Sequence, residues 1–212
     1  PIVLERGPAL DERVKAVEHF STTGELDENA NIQFGEGGAG TFSDGKLNTG
    51  TKNPAHRLIL ETFVEAGAPR DILWDAKPHI GSDILPTVVT AISQRIEQLG
   101  GIVRYRTKLV DIHIDASGAI TGIDVQSSQD AAYEPIETKH LILACGHSAR
   151  DIFELLKDHN VALAQKTFAM GVRIEHPQRD IDRAQYGALA GHPALGAAPV
   201  SYTHLRAHET VL

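Results

Sequence analysis

Residues 34–48 read Phe-Gly-Glu-Gly-Gly-Ala-Gly-Thr-Phe-Ser-Asp-Gly-Lys-Leu-Asn, and five of these fifteen residues are glycine. Glycine costs backbone entropy and buries almost no surface, so a packing role alone explains this density poorly. A backbone without Cβ atoms can bring its N–H groups close to an anion. The stretch therefore predicts a loop that lies against a phosphate-containing ligand. A mobile surface loop is the alternative, since such loops are also rich in glycine.

Composition limits what surrounds this loop. The chain has 212 residues with 42% hydrophobic and 23% charged residues, which is typical of a globular protein of one domain or slightly more. Its net charge of −8 argues against a nucleic-acid partner. No apolar run approaches the roughly 20 residues that cross a bilayer, so no membrane span is predicted. The single cysteine, Cys145, excludes an internal disulfide and favours a reducing, cytoplasmic location.

Both ends of the chain have unusual features. It begins with Pro1, and its only methionine is Met170, so we expect the native start to lie upstream. Residues 200–210 correspond to the translation of a transposase adapter used to build sequencing libraries. We therefore expect residues 200–212 to be a non-native, adapter-encoded tail on an internal fragment of a longer protein. The tail histidines, His204 and His208, are accordingly not counted as metal ligands.

The first half of the chain predicts one strand and three helices. Ile2–Leu4 is a short apolar strand that ends at an acid, Glu5. Apolar residues at helical spacing then predict helices over Pro8–Phe20, from Asn53 to Gly67, and from Ile84 to Leu99. Asn53 is the expected N-cap of the second helix, and Ser82 or Asp83 that of the third.

The second half predicts mainly strands. These are Ile102–Arg106, a hairpin of Leu109–Ile114 with Ala119–Val125, an edge segment at Ile136–His140, an apolar strand at Leu141–Ala144, and Phe168–Ile174. A helix over Ala149–Leu156 follows the apolar strand, with Ser148 and Asp151 at capping-box spacing. Strands alternating with helices indicate an α/β fold. The strand-to-helix junction at residues 145–148 is a second place where N–H groups could face a phosphate.

Several reactive side chains have simpler explanations. Cys145 could be a redox or nucleophilic thiol, but it follows an apolar strand without a second cysteine, and we expect it to be buried and inert. Ser148 is better explained as a helix cap, because no GxSxG pattern surrounds it. The histidines show no metal-ligand spacing, so no metal site is predicted. Arg173, Glu175 and His176 either face a substrate or form an exposed strand end.

The ordered set of motifs resembles the bacterial family of uncharacterised FAD-dependent dehydrogenases, a branch of the flavoproteins with two dinucleotide-binding domains. The motifs are VLERG (3–7), FGEGGAGTFSDGKLN (34–48), KPHIGSD (77–83), GGIVRYRTKLVDI (100–112), LILACGHSARD (141–151) and FAMGVRIEHPQ (168–178). The resemblance implies a partial Rossmann-like, glutathione-reductase-type FAD-binding domain with a β-meander over residues 1–167. It also implies that a substrate domain begins over residues 168–199.

The resemblance also implies a set of FAD contacts. Glu5 stands where the family places the acid that binds the ribose of FAD, with Arg6 near the adenosine. Leu109 and Val110 lie where such flavoproteins hold adenine through main-chain groups. A strand end that passes close to the cofactor is implied for Ala144, Cys145 and Gly146, where cysteine replaces the usual threonine and leaves a backbone contact.

The glycine-rich loop corresponds to the segment that lies over the pyrophosphate and the flavin ring in related flavoproteins. The contacts expected from it are Gly37, Gly38, Gly40, Thr41, Ser43, Asp44, Gly45, Lys46 and Asn48. Lys46 would offset negative charge on the phosphate or the reduced flavin, and Asn48 would bind the edge of the ring. A surface pair of Asp44 and Lys46 is the alternative.

Three functions remain open at this point. The first is an FAD-dependent oxidoreductase that transfers hydride or electrons between a small-molecule substrate and flavin, with NAD(P)H as a possible electron partner. The second is a non-catalytic flavin- or nucleotide-binding module, and the third is an NAD(P)-dependent reductase. The family's GxGxxG turn is expected upstream of Pro1. We therefore expect this fragment to hold FAD weakly and to be inactive by itself.

Overall fold

A parallel pair of short strands, β1 (Ile2–Leu4) and β2 (Ile102–Arg104), starts the fold. The computed structural model describes residues 1–43, 45–47, 52–75, 78–166 and 175–198. It divides into two compact units, Pro1–Ala162 and Leu163–Leu212. Parallel strands need a long crossover connection, and here helices fill it. These helices are α1 (Leu10–Thr23), α2 (Ala55–Glu65) and α3 (Leu85–Gln98).

The N-terminus of α2 has the predicted cap, and the N-terminus of α3 does not. Asn53 accepts a hydrogen bond from the Ala55 N–H at 2.9 Å, which confirms the side-chain cap expected at the start of α2. The predicted caps of α3 are wrong, because no side chain caps that helix and a proline stands in its first turn. An apolar core lies between these two helices and the segments beside them. Its buried members are Ala68, Ile72, Ile80, Leu85 and Val88.

An antiparallel sheet follows β2, with its three strands in sequence order. Its strands are β3 (Thr107–Ile114), β4 (Ile120–Ser127) and β5 (Tyr133–Glu137). This confirms the predicted hairpin and meander. Ile112, Ile123 and Val125 form its core, and helix α4 (Arg150–Asp158) packs against it through Leu155 and Leu156.

The predicted strand at Leu141–Ala144 is wrong, because the structure has no regular secondary structure there. Strand geometry needs a hydrogen-bonded neighbour, and no described strand pairs with this segment. Leu141 still packs against the core of the antiparallel sheet, but Ile142 is 91% and Leu143 41% exposed. The predicted capping box is wrong as well, since no side chain caps α4 and the Asp151 carboxylate instead pairs with Arg6.

The second unit contains helix α5 (Gln178–Tyr186) and a short 3₁₀ helix, Gly187–Leu189. Within it, the Asp182 carboxylate accepts hydrogen bonds from the Ala198 N–H at 2.7 Å and from the Gln178 amide at 2.8 Å. The predicted strand Phe168–Ile174 lies outside the described residues, and the expected boundary at residue 167 stays a prediction. No helix among the described residues is long and apolar enough to cross a bilayer.

The α/β class is thus confirmed as a mixture of helices with two small sheets. The Rossmann-like assignment stays a prediction, because the parallel sheet has two strands in the part of the chain that the structure covers.

Candidate functional site

The glycine-rich stretch folds around a buried arginine, Arg13 of α1, which is fully shielded from solvent. Its guanidinium has five N–H donors, and five acceptors surround it. These acceptors are the carbonyl oxygens of Asn31, Ile32, Glu36 and Gly38, at 2.5–3.0 Å, and the Thr41 hydroxyl at 3.2 Å. Burial lowers the pKa of Arg13, while the nearby Glu5 and Glu36 carboxylates act in the opposite direction.

Arg13 gives the stretch a defined fold. The Thr41 side chain is buried, and its hydroxyl donates to the Glu36 carbonyl at 3.0 Å while it accepts from Arg13. The guanidinium also lies 4.8 Å from the centre of the Phe42 ring. Several loop carbonyls therefore point inward at a cation. Residues 34–43 are a folded element and not an irregular surface loop.

The glycines of the stretch have two different surroundings. Gly37 has φ +80°, and a Cβ atom there would lie 2.2 Å from the Thr41 hydroxyl oxygen, so only glycine fits. A Cβ atom at Gly40 would meet nothing within 4 Å, and Gly40 is exposed. The fold therefore requires glycine at position 37. It does not require glycine at position 40, where the backbone is exposed without a side chain.

Glu5 joins the end of β1 to the start of this loop. Its Oε1 accepts hydrogen bonds from the N–H groups of Gly7, at 2.8 Å, and Gly35, at 2.9 Å. Gly7 permits this approach, since a Cβ atom there would lie 2.4 Å from the Gly35 nitrogen. The other carboxylate oxygen of Glu5 accepts no hydrogen bond from the residues described, so it can accept one from a ligand hydroxyl.

Arg6, the residue after Glu5, lines a groove of about 790 Å³. The Arg6 guanidinium lies 4.5 Å from the centre of the Phe34 ring and 2.5 Å from the Asp151 carboxylate. Cations and polar groups from three elements line the groove: Arg6 after β1, Lys108 in β3, and Ser148, Arg150 and Asp151 at the start of α4. Of the predicted adenosine contacts Arg6 lines this groove, and Ser148 lines it from the predicted second phosphate site, whereas Glu5, Leu109 and Val110 do not. Its volume is in the range of small-molecule sites.

Strand β3 has a β-bulge at Val110. Leu109 pairs with Val125 and Asp111 with Asp124, which makes Val110 the extra residue. A bulge leaves main-chain groups outside the ladder of strand hydrogen bonds. Such groups suit the main-chain recognition of adenine that the resemblance implies at Leu109 and Val110.

Cys145 is exposed, which corrects the expectation of a buried thiol. The physical reason is the missing strand partner at 141–144, which leaves the following residues uncovered as well. Ala144 and Gly146 are exposed beside it, and Gly146 has a left-handed φ of +72°. These three residues lie just before the α4 end of the groove, although none of them lines it.

The remaining loop residues lie apart from the groove lining. Lys46 forms an antiparallel bridge with His79, and Ile80 donates to the Gly45 carbonyl at 3.2 Å. The Ser43 hydroxyl donates to the Gly40 carbonyl at 2.7 Å and accepts from the Gly45 N–H at 3.0 Å. Neither these residues nor Gly37, Gly38, Gly40 and Thr41 line the groove. Asp44 and Asn48 lie outside the described residues.

Hydrogen bonds of Glu36 with Leu10 and Tyr105 stabilise the glycine-rich stretch. Glu36 is 6% exposed, and its carboxylate accepts a hydrogen bond at 2.8 Å from the Leu10 N–H, at the positive end of α1. Burial raises the pKa of Tyr105 to about 12, and its hydrogen bond to Glu36 adds to that rise. Sequence patterns identified none of Arg13, Glu36 and Tyr105 as functional.

Two comparisons with known proteins bear on this site. Residues 167–211 match a family model described as "FAD-dependent protein, C-terminal domain-like". An uncharacterised protein of Clostridium beijerinckii is 44% identical over 204 residues, which is 96% of this chain. The chain spans 37% of the length of that relative. The family-model match is a similarity to FAD-dependent proteins over residues 167–211, and the relative is uncharacterised.

In sequence, the segment that matches the family model begins after the last residue that lines the groove, Asp151. The structure describes residues 175–198 of it, in the second unit. The match also includes residues 200–211, and the adapter origin of residues 200–212 stays a prediction.

Proposed function

We propose that the chain is part of an FAD-dependent oxidoreductase, and that its first unit supplies the adenosine and pyrophosphate contacts. The observation that carries this proposal is the match of residues 167–211 to a family model of FAD-dependent proteins. The groove supports it, because its cations Arg6, Lys108 and Arg150 can offset phosphate charge.

The residues around the groove suit the polar half of FAD. The unoccupied carboxylate oxygen of Glu5 would accept a ribose hydroxyl, and Arg6 and Lys108 would offset phosphate charge. The main chain of Leu109 and Val110 would hold the adenine edge at the bulge. The backbone of Ala144, Cys145 and Gly146 would pass close to the cofactor.

The glycine-rich loop would form a second wall of the site. In this arrangement the loop carbonyls accept hydrogen bonds from Arg13. The side of the loop at Gly38 and Gly40, where an added Cβ atom would meet nothing within 4 Å, is the side available to the cofactor. Gly37, Thr41, Ser43 and Gly45 keep the loop in shape, and Asp44, Lys46 and Asn48 retain their predicted contacts with flavin. FAD, when bound, supplies the hydride- and electron-accepting chemistry.

The proposed reaction is transfer of hydride or electrons between a small-molecule substrate and the flavin. NAD(P)H is the proposed electron partner for the other half of the cycle. Because the chain spans 37% of its relative, this activity belongs to the longer protein.

The experiment is to purify the longer protein, release its cofactor by denaturation, and identify the cofactor by chromatography. FAD is expected in near-stoichiometric amount, and its visible absorbance should bleach when NADH or NADPH is added without oxygen. Bound FAD that no reductant bleaches would favour a non-catalytic binding module. A preparation that neither contains nor takes up FAD would contradict the proposal.

Glu5→Gln tests the ribose contact in the same protein. Glutamine keeps one acceptor for the Gly7 and Gly35 amides, but its NH₂ group replaces the second oxygen of Glu5 and cannot accept the ligand hydroxyl. FAD affinity should fall by roughly tenfold, which corresponds to about 1.4 kcal/mol. Glu134→Gln is the matched control, because that exposed carboxylate pairs with Arg104 away from the groove and should not change the affinity.

A further inference from the structure

A second cluster of ionisable side chains lies on the antiparallel sheet and is not used by the proposed flavin site. Donor atoms of Asp111, His113 and Asp124 all lie within 4.8 Å of one another. The His113 Nε2 is 3.0 Å from an Asp124 oxygen. His159, at the end of α4, places its Nε2 2.6 Å from the Asp111 Oδ1.

Strand register creates this cluster. Asp111 stands directly opposite Asp124 across β3 and β4, and His113 is two residues further along β3 on the same face. Linear spacing did not reveal the set, because Asp124 approaches only through cross-strand pairing. The prediction of no metal site considered linear spacing alone, and it stays a prediction.

Two carboxylates and two histidines meet in this cluster. Two carboxylates directly opposite each other in an antiparallel pair repel and destabilise the pairing. Each has a histidine neighbour. A divalent cation between the carboxylates would remove the repulsion.

Gly122 leaves room for the imidazole. It pairs with His113 across the strands, and a Cβ atom at Gly122 would lie 3.3 Å from the His113 Nδ1. The ring can therefore lie across β4 toward Asp124. The Asp111 Oδ1 accepts from His159 and from the Ile112 N–H at 2.8 Å, while its other oxygen accepts nothing from the described residues.

We propose that Asp111, His113 and Asp124 bind a divalent transition-metal ion of the Zn²⁺ type. One imidazole nitrogen with two carboxylate oxygens is a donor set that Zn²⁺ and its first-row neighbours accept. Metal–ligand bonds of about 2.0–2.2 Å put neighbouring donors roughly 3–3.5 Å apart, which the His113–Asp124 pair meets at 3.0 Å, while all three donors lie within 4.8 Å of one another. His159 orients Asp111 as an outer hydrogen-bond partner.

The site is open enough for exchange with solvent. The side chains of His113 and Asp124 are 43% and 25% exposed. Three protein ligands leave at least one coordination position for water or another small ligand. The ion would therefore stabilise the pairing of β3 with β4 and leave a position that can take part in binding.

The test is a Zn²⁺ titration of the full 212-residue chain, prepared without an affinity tag and with His204→Gln and His208→Gln to remove the tail histidines. Calorimetry should show one tight equivalent, and bound Zn²⁺ should raise the unfolding temperature. His113→Gln and Asp124→Asn should each weaken this equivalent by more than about a hundredfold, and His159→Gln by roughly tenfold. Ca²⁺ and Mg²⁺ should not compete, because they prefer oxygen ligands alone.

His19→Gln is the matched control, since His19 is an exposed histidine that lies 3.1 Å from a single carboxylate, Glu25. It should leave the tight equivalent intact. Circular dichroism without metal checks that the variants fold, which is expected because exposed pairs contribute at most about 1 kcal/mol. The proposal is overturned if no tight equivalent exists, or if His113→Gln and Asp124→Asn bind Zn²⁺ as the unchanged chain does.

Discussion

At the scale of single residues, the burial of Arg13 could have been predicted from its position in the helix, but it was not. It lies three residues after Leu10 and four before Val17, so it occupies the apolar face of the predicted helix. A charge in that position requires buried partners. The helix was predicted from the spacing of its apolar residues alone, so a charged residue on the same face was not considered. The partners are mostly backbone carbonyls, which no sequence pattern identifies.

Arg13→Lys should strongly destabilise the first unit. Lysine has three donors at one point and cannot reach five acceptors spread over residues 31–41, so several buried carbonyls would lose their partner. We expect the free energy of unfolding to fall by about 3–5 kcal/mol, measured by urea denaturation. Arg57→Lys, at an exposed i,i+4 pair with Glu61, is the control and should cost less than about 0.5 kcal/mol. Equal effects of the two substitutions would contradict the role given to Arg13.

Tyr105 should make stability depend on alkaline pH. Its pKa is raised to about 12 in the folded chain by burial, from an ordinary value of 10.0, so the folded state holds the phenol proton more tightly than the unfolded state. This contribution to stability is complete below about pH 10 and is lost as the pH rises toward 12. Tyr105→Phe should remove that part of the pH dependence in urea unfolding. Tyr133→Phe, at an exposed tyrosine, should retain it, and a pH profile unchanged by Tyr105→Phe would count against the buried phenol.

At the scale of elements, local patterns predicted the helices and the hairpin, because their hydrogen bonds join residues that are near in sequence. The predicted strand at Leu141–Ala144 failed for the opposite reason. A strand depends on a partner that its own residues do not specify, and Ile142 remains 91% exposed beside the described residues. The proximity of Asp111, His113 and Asp124 was not predicted, because it depends on register across two strands.

The glycine-rich loop as an element can be tested with two glycines of similar conformation. Gly24 and Gly37 have φ of +77° and +80°, but a Cβ atom meets nothing near Gly24 and lies 2.2 Å from Thr41 at Gly37. Gly24→Ala should cost about 1 kcal/mol for the left-handed backbone alone. Gly37→Ala should cost about 1–3 kcal/mol more, because the loop must repack. Urea denaturation measures both, and equal costs would mean that the loop does not pack on Arg13 and Thr41 as described.

At the scale of the whole molecule, the chain spans 37% of its relative, and the match to FAD-dependent proteins lies at residues 167–211. The proposed adenosine groove lies in the first unit, which that match does not reach. The FAD contacts of Glu5 and Arg6, which the resemblance to known flavoproteins implies, stay predictions. It did not anticipate that the loop carbonyls turn inward toward Arg13, which leaves Gly40 as the bare outer surface.

Gly40→Val in the longer protein tests most directly whether this bare surface faces FAD. A side chain at Gly40 meets open space in the fold, so the free energy of unfolding of the 212-residue chain should change by less than about 0.5 kcal/mol. If the loop lies against the cofactor, the added side chain occupies its space, and FAD affinity should fall by at least about tenfold. Unchanged FAD content and affinity in a normally folded Gly40→Val protein would contradict the placement of the loop over the cofactor.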